Sequence, residues 1–262
     1  MRAWSRQPVF RPGISLSMTT QKESRKEALF SSSIQMEDAD NYNDWTFRLF
    51  RSCLAGDVLE VGCGVGSFTR RIIDHGQLTR LLSIDISPEA VEHCRSRLSR
   101  PNLNIQCIDA RLVRGEFDAI VCMNVLEHIE DDRGMLEHLL SLLRPGGTLF
   151  LLVPAHMSLF SRFDLENGHF RRYNKRGMRA LASSVPLARQ FRLKQFYFNA
   201  VGALGYWFVY KALRKAPDPA GMAEIDLFDR WMVPILRRVE GRWVPFGLSL
   251  VSIFTGGSDN LT

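Results

Sequence analysis

Short apolar runs alternate with amphipathic segments between positions 57 and 154. The runs 57–61, 80–85, 103–108, 117–123 and 148–153 are rich in Val, Ile, Leu and Phe. Runs of this kind read as strands buried on both faces. Helical spacing fills the intervals at about 66–74, 87–99 and 132–143. Ser87-Pro88 is a helix start, because serine caps orphan N–H groups and proline suits the first helical position. Arg144-Pro145-Gly146-Gly147 stops the third helix. An amphipathic helix from Asp38 to Leu54 precedes the first strand, with Trp45, Phe47, Leu49 and Phe50 on its apolar side. Beyond 154, the uncharged run Gln195–Tyr210 reads as a strand leading into a helix. A second amphipathic helix follows at about Ile225–Val239, and 247–254 reads as a final strand. This alternation predicts an α/β fold: a doubly wound, mostly parallel sheet with helices on both faces. Any ligand belongs beyond the carboxyl ends of the strands.

The first strand runs into alternating glycines, Glu60-Val61-Gly62-Cys63-Gly64-Val65-Gly66. Glycine permits positive φ and lets backbone N–H groups approach a ligand. A phosphate-cradling loop would end in Gly-Lys-Ser/Thr, which is absent. The dinucleotide pattern needs glycine or alanine where Ser67 stands. The acid two residues before Gly62 repels a pyrophosphate and welcomes a cationic ligand. Asp85 ends the second strand, 23 residues after Gly62, where an acid accepts hydrogen bonds from ribose hydroxyls. Asp109 ends the third, where it can accept from an adenine amino group.

Composition narrows the function further. The 262 residues carry a net charge of +6, but residues 1–33 hold six basic residues against two acids. That segment contains Pro8, Pro12 and Gly13 and lacks periodicity, so it reads as a disordered leader; its acid-free start also fits a transit peptide. Only +2 is left for residues 34–262, too little for a polyanion footprint, so no nucleic-acid partner is expected. Five cysteines without a C-x-x-C pair indicate reduced thiols and a cytoplasmic location, and no metal site is expected. The 16 uncharged residues 195–210 fall short of the ~20 that span a bilayer.

Taken in order, Glu60-x-Gly62-x-Gly64-x-Gly66, Asp85, Asp109, the Asn124-Val125-Leu126-Glu127-His128 end of the fourth strand and Leu143-Arg144-Pro145-Gly146-Gly147 resemble the class I S-adenosylmethionine-dependent methyltransferases. The likeness covers Val58 to Pro154. It implies a Rossmann-like fold with seven strands over 34–262, a cofactor core at 56–155, and an acceptor side with a helical insert at 156–246. Strands six and seven are usually joined by a short hairpin in that fold, whereas about 40 residues intervene here. The resemblance places the cofactor S-adenosylmethionine against Glu60, Gly62, Cys63, Gly64 and Gly66, its ribose by Asp85 and Ile86, its adenine by Asp109 and Ala110, and its methionine arm along Asn124 and Val125. Asn41-Tyr42-Asn43-Asp44-Trp45 resembles the element that closes over it.

Methyltransferases acting on adenine or glutamine amides carry Asp/Asn-Pro-Pro-Tyr/Phe after the fourth strand. Val125-Leu126 departs from this and points to a small-molecule acceptor. His128 and His156 follow strands four and five as candidate bases. His169, Arg171, Arg172 and Tyr173 are candidate acceptor ligands, the arginines for an anion, such as a glycan or natural-product precursor. Two alternatives stay open: a peripheral membrane enzyme acting on a lipid-linked acceptor, and a non-catalytic binding subunit.

Overall fold

A computed structural model describes residues 37, 39–75, 77–208, 228–240 and 244–257. The expected leader, residues 225–227 and Trp243 lie outside them. Seven strands form one sheet in the order β3-β2-β1-β4-β5-β7-β6. They are β1 (Gly56–Val61), β2 (Leu78–Asp85), β3 (Leu103–Cys107), β4 (Phe117–Met123), β5 (Leu143–Pro154), β6 (Phe191–Phe198) and β7 (Ser249–Gly256). The first five pair in parallel, and β7 runs antiparallel between β5 and β6. The strand order turns back between β1 and β4, and such a switch point opens a crevice at the carboxyl edge.

Alternation along the strands sorts side chains onto two faces. Leu59, Ile120, Leu149, Leu151 and Phe254 pack with Leu136 and Leu139 of α4 (Asp132–Ser141) and Met178 of α6 (Lys175–Ser184). Val58, Val121, Phe150, Leu152 and Val251 face the other way. They pack on Trp45 and Phe50 of α1 (Asp40–Phe50), Ile72 of α2 (Ser67–Ile73), and Val233 and Leu236 of α8 (Val233–Val239). Each such leucine contributes roughly 1.5–3 kcal/mol by leaving water. The α3 helix (Pro88–Arg97) starts as its sequence dictates, with the Ser87 hydroxyl accepting from Ala90 N at 3.2 Å.

Four elements depart from the pattern. β5 begins at Leu143, so Arg144-Pro145-Gly146-Gly147 lies inside a strand. Gly146 adopts φ +78° at this irregularity, and Arg144 reaches Asp118 at 2.6 Å and Asp57 at 2.8 Å. Two ion pairs and a positive-φ glycine carry the chain through what reads as a stop. Helices α5 (Arg162–Glu166) and α6 were not foreseen, and β6 starts at Phe191. Helix α7 (Ala200–Tyr206) follows β6 as expected.

Candidate active site at the carboxyl edge of the sheet

The glycine loop leaves β1 in a conformation that only glycine holds without strain. Gly62, Gly64 and Gly66 have φ of +80°, +50° and +96°. The N–H groups of Gly62 and Cys63 both donate to Ile84 O, at 2.8 and 2.9 Å, which locks the loop to β2. A Cβ on Gly62 would come within 2.3 Å of Val125 Cγ2, and one on Gly66 within 2.6 Å of Cys94 Sγ. The loop is therefore bare backbone because its neighbours fill the space. Glu60 is the penultimate residue of β1, just before this loop. It is buried, and its Oε2 accepts from Thr69 Oγ1 at 2.6 Å and Ser83 Oγ at 2.7 Å. Burial pushes its carboxyl up to about 7, against these two hydrogen bonds. Glu60 braces β1, β2 and α2 together beneath the loop. Cys63 likewise turns inward, among Val91, Cys94 and Ile105.

Asp85 stands at the rim. Its Oδ2 accepts from Gly64 N and its Oδ1 from Ser87 N, both at 2.9 Å, so it ties the loop to the start of α3. Beside it Ile86 is 62% exposed, an apolar surface next to a carboxylate. Asp109 caps a short turn beginning at Ala110. The hydrogen bond from Arg111 holds its carboxyl below the usual range.

Backbone strain gathers on this same edge. Asn124, His156 and Asn199 have φ of +51°, +63° and +62°, and they follow β4, β5 and β6. β6 runs parallel to β5 because both oppose β7. Left-handed non-glycine residues cluster where function sets the backbone.

Beyond β4 a polar group assembles. Glu127 is buried, and its Oε2 has no hydrogen-bond partner. Burial raises its carboxyl to about 8. The His128 and His169 rings meet edge to face at 4.6 Å. Ligand-capable atoms of Glu127, His128 and His169 lie within 4.8 Å of one another, a grouping that no spacing in the sequence indicates. His169 Nδ1 contacts Asp164 Oδ1 at 2.8 Å. Asp164 is fully buried and also accepts from Arg172 Nε at 2.7 Å, Ser161 N at 2.8 Å and Tyr206 OH at 2.9 Å. Burial alone would raise its pKa, but the bonds from His169 and Arg172 hold it well below the carboxylate range.

The arginines expected to grip an anion are engaged internally. Arg172 is buried against Asp164, and Arg171 bonds Ile129 O and Glu130 O at 3.1 and 2.8 Å and pairs with Asp132 at 2.8 Å. Tyr173 donates to Asp132 at 2.9 Å. Arg171 and Tyr173 staple the 170–173 segment to residues 129–132 after β4, and Arg172 ties it to Asp164, which also holds His169. His156 lies against Tyr197, ring centroids 4.6 Å apart, and burial followed by the Arg172 charge lowers its pKa.

A cover reaches over from the insert. Asp229 accepts from Asn41 N at 3.1 Å and Tyr42 N at 2.7 Å, capping the first turn of α1. Glu240 accepts from Ala200 N at 3.0 Å at the start of α7. Tyr42 packs on Phe198, centroids 6.0 Å apart, and burial raises its pKa.

Residues 59–149 match a family model described as a methyltransferase domain. That match covers about a third of the chain. Curated proteins similar to it include the ubiquinone biosynthesis O-methyltransferases of Coxiella burnetii, 34% identical over 98 residues, and of Xanthomonas campestris, 36% identical over 100 residues. In both cases the match covers 36% of this chain and 41% of the relative, so it spans about two fifths of the curated proteins' length. Among solved structures, the plantazolicin methyltransferase BpumL in complex with SAH gives a TM-score of 0.54 at 16% identity, covering 92% of this chain and 90% of that one. A methyltransferase in complex with the Haloferax volcanii Trm112 activator gives 0.59 at 16% identity, covering 87% and 97%. At such identities the likeness is one of fold. In this chain the bare glycine loop, the rim carboxylate Asp85 and the exposed Ile86 stand together after β1 and β2.

Proposed function

We propose that the protein transfers a methyl group from S-adenosylmethionine to a small-molecule acceptor. The observation that carries this reading is the glycine loop at the β1/β4 switch point. Three positive-φ glycines there lie beside Asp85 and the exposed Ile86. Gly62, Gly64 and Gly66 would hold the methionine half, Asp85 and Ile86 the ribose and adenine, with Asp109 at the adenine edge. Asn124 and Val125 would flank the tail, and Tyr42 would close the crevice from α1. Bound there, S-adenosylmethionine supplies an activated methyl on a sulfonium centre.

The chain's own task is then orientation and water exclusion, worth up to roughly 10 kcal/mol of barrier in favourable cases. The acceptor's reacting group is received by Glu127, His128 and His169. A histidine of this group takes up its proton. His156, kept neutral by burial, lines the β5 side. The likeness to O-methyltransferases supports a hydroxyl as that group. A screen of acceptors with labelled methyl donor tests the reading. On an accepted substrate, His128→Ala is expected to lower turnover at least about a hundredfold while leaving cofactor affinity within about twofold. Turnover at the wild-type level removes His128 from the site.

One set of residues favours a second reading, in which the acceptor is lipid-linked and the enzyme rests on a membrane. Leu204, Trp207 and Phe208 at α7, and Trp231 and Ile235 at the start of α8, are each more than half exposed. Among the described residues no helix is long and apolar enough to cross a membrane. An aromatic amphipathic face suits a surface contact instead.

A further inference from the structure

We infer that Glu127, His128 and His169 form a binding site for one divalent transition-metal ion. The inference deepens the proposed function by naming how the acceptor is held, but the binding of the ion does not depend on methyl transfer. Three observations carry it. The ligand-capable atoms of the three side chains converge within 4.8 Å. An ion held at about 2.1 Å from each would bring them to about 4.2 Å or less, a change within reach of small side-chain rotations. The Glu127 carboxylate is 1% exposed, and its Oε2 is a buried oxygen with no hydrogen-bond partner. A buried polar atom in that state calls for an ion or a water.

The third observation concerns His169. Its Nδ1 faces Asp164 at 2.8 Å, and Asp164 is itself fixed by Arg172, Ser161 and Tyr206. That bond to a carboxylate places the proton on Nδ1 and leaves Nε2 as the ring's acceptor, the second-layer carboxylate arrangement that orients metal-ligating histidines. Phe170 N donates to Glu127 O at 2.8 Å, so the two segments bearing the ligands are joined by backbone as well.

Two imidazoles and one carboxylate suit Zn²⁺, Mn²⁺ or Fe²⁺ better than Ca²⁺ or Mg²⁺. Three protein ligands leave a coordination position open. With the ion in place the three side chains act as ligands, and an acceptor oxygen takes the open position. The sequence hid this site because His169 stands 41 residues after His128 and only the fold brings them together.

Calorimetric titration of the chelator-treated full chain with Mn²⁺ alone tests the site, with no acceptor or methyl donor present. One saturable site per chain is expected. Glu127→Gln and His169→Gln should each weaken it by at least about tenfold, while His75→Gln, far from the cluster, leaves it unchanged. Absence of saturable binding overturns the inference, and so does binding that survives both substitutions. Should either variant fail to fold, pulsed EPR of the Mn²⁺-loaded wild type reads the ligands directly. Coupling to two imidazole nitrogens supports the site, and no such coupling overturns it. A chain that binds Mn²⁺ here but not S-adenosylhomocysteine would refute the methyltransferase reading while leaving the ion site standing.

Discussion

Two buried carboxyls link the site to stability. Glu60 and Glu127 have folded pKa values of about 7 and about 8, both raised by burial. A raised acid pKa means that the folded chain holds a proton which the unfolded chain releases. Stability from these groups is complete below the ordinary carboxylate range and is lost as pH rises toward 7 and 8, on the order of 3 kcal/mol at most for Glu60 and on the order of 5 kcal/mol at most for Glu127. In chelator, Glu127→Gln should therefore gain on the wild type between pH 5 and pH 8.5 by 1 kcal/mol or more, read from urea unfolding. Parallel curves would mean that Glu127 titrates normally. Asp164 has the opposite sign: its lowered pKa gives stability that is present at neutral pH and lost in acid. At the loop, Gly62→Ala places a methyl 2.3 Å from Val125 Cγ2 at φ +80°. It should cost about 1–3 kcal/mol and lower affinity for S-adenosylhomocysteine at least about tenfold. Unchanged affinity would clear Gly62 of contact with the cofactor.

The sequence made some of these residues legible and concealed others. Gly62, Gly64 and Asp85 stand on neighbouring strand ends, so local order already implies their meeting. For Glu60, alternation tells which face the side chain takes, and not that Thr69 and Ser83 stand there to bind it. Arg171 and Arg172 show as charge in the sequence, but their partners Asp132 and Asp164 lie eight or more residues away and are brought in by folding. Asp164 and Tyr206 leave no periodic signal at all.

Among elements, the junction of α1 with the insert is the most consequential. Asp229 supplies the carboxylate that α1 lacks at its own N-terminus, where Ala39 cannot cap. A cap of this kind is worth about 1 kcal/mol. Asp229→Ala should lower stability by that amount and weaken S-adenosylhomocysteine binding, since Tyr42 sits in the turn that is released. Loss of stability with unaltered affinity would make Asp229 a purely structural cap. The strands were readable from apolar runs, whereas α5 and α6 were not: α5 is five residues long, and α6 shows mostly small and basic residues outside Met178 and Leu181. β5 starts five residues before its apolar run because Arg144-Pro145-Gly146-Gly147 carries a stop signal that Asp118 of β4 and Asp57 of β1 override.

At the scale of the molecule, doubly wound topology places the glycine loop, the strained ends of β4, β5 and β6, and the histidine cluster on one edge. Among the described residues the insert joins α1 through Asp229 and carries exposed aromatic side chains. If these side chains rest on a membrane, the wild type floats with anionic liposomes and the pair Trp207→Asp, Trp231→Asp does not. Failure of the wild type to float would leave them to a soluble acceptor or a protein partner. The chemistry of this edge depends on what the crevice after β1 receives. Titration of the wild-type chain with S-adenosylhomocysteine tests this most directly. One molecule bound per chain, with no heat from NAD under the same conditions, is the predicted result. No binding of the nucleoside, or saturable binding of NAD in its place, would contradict it.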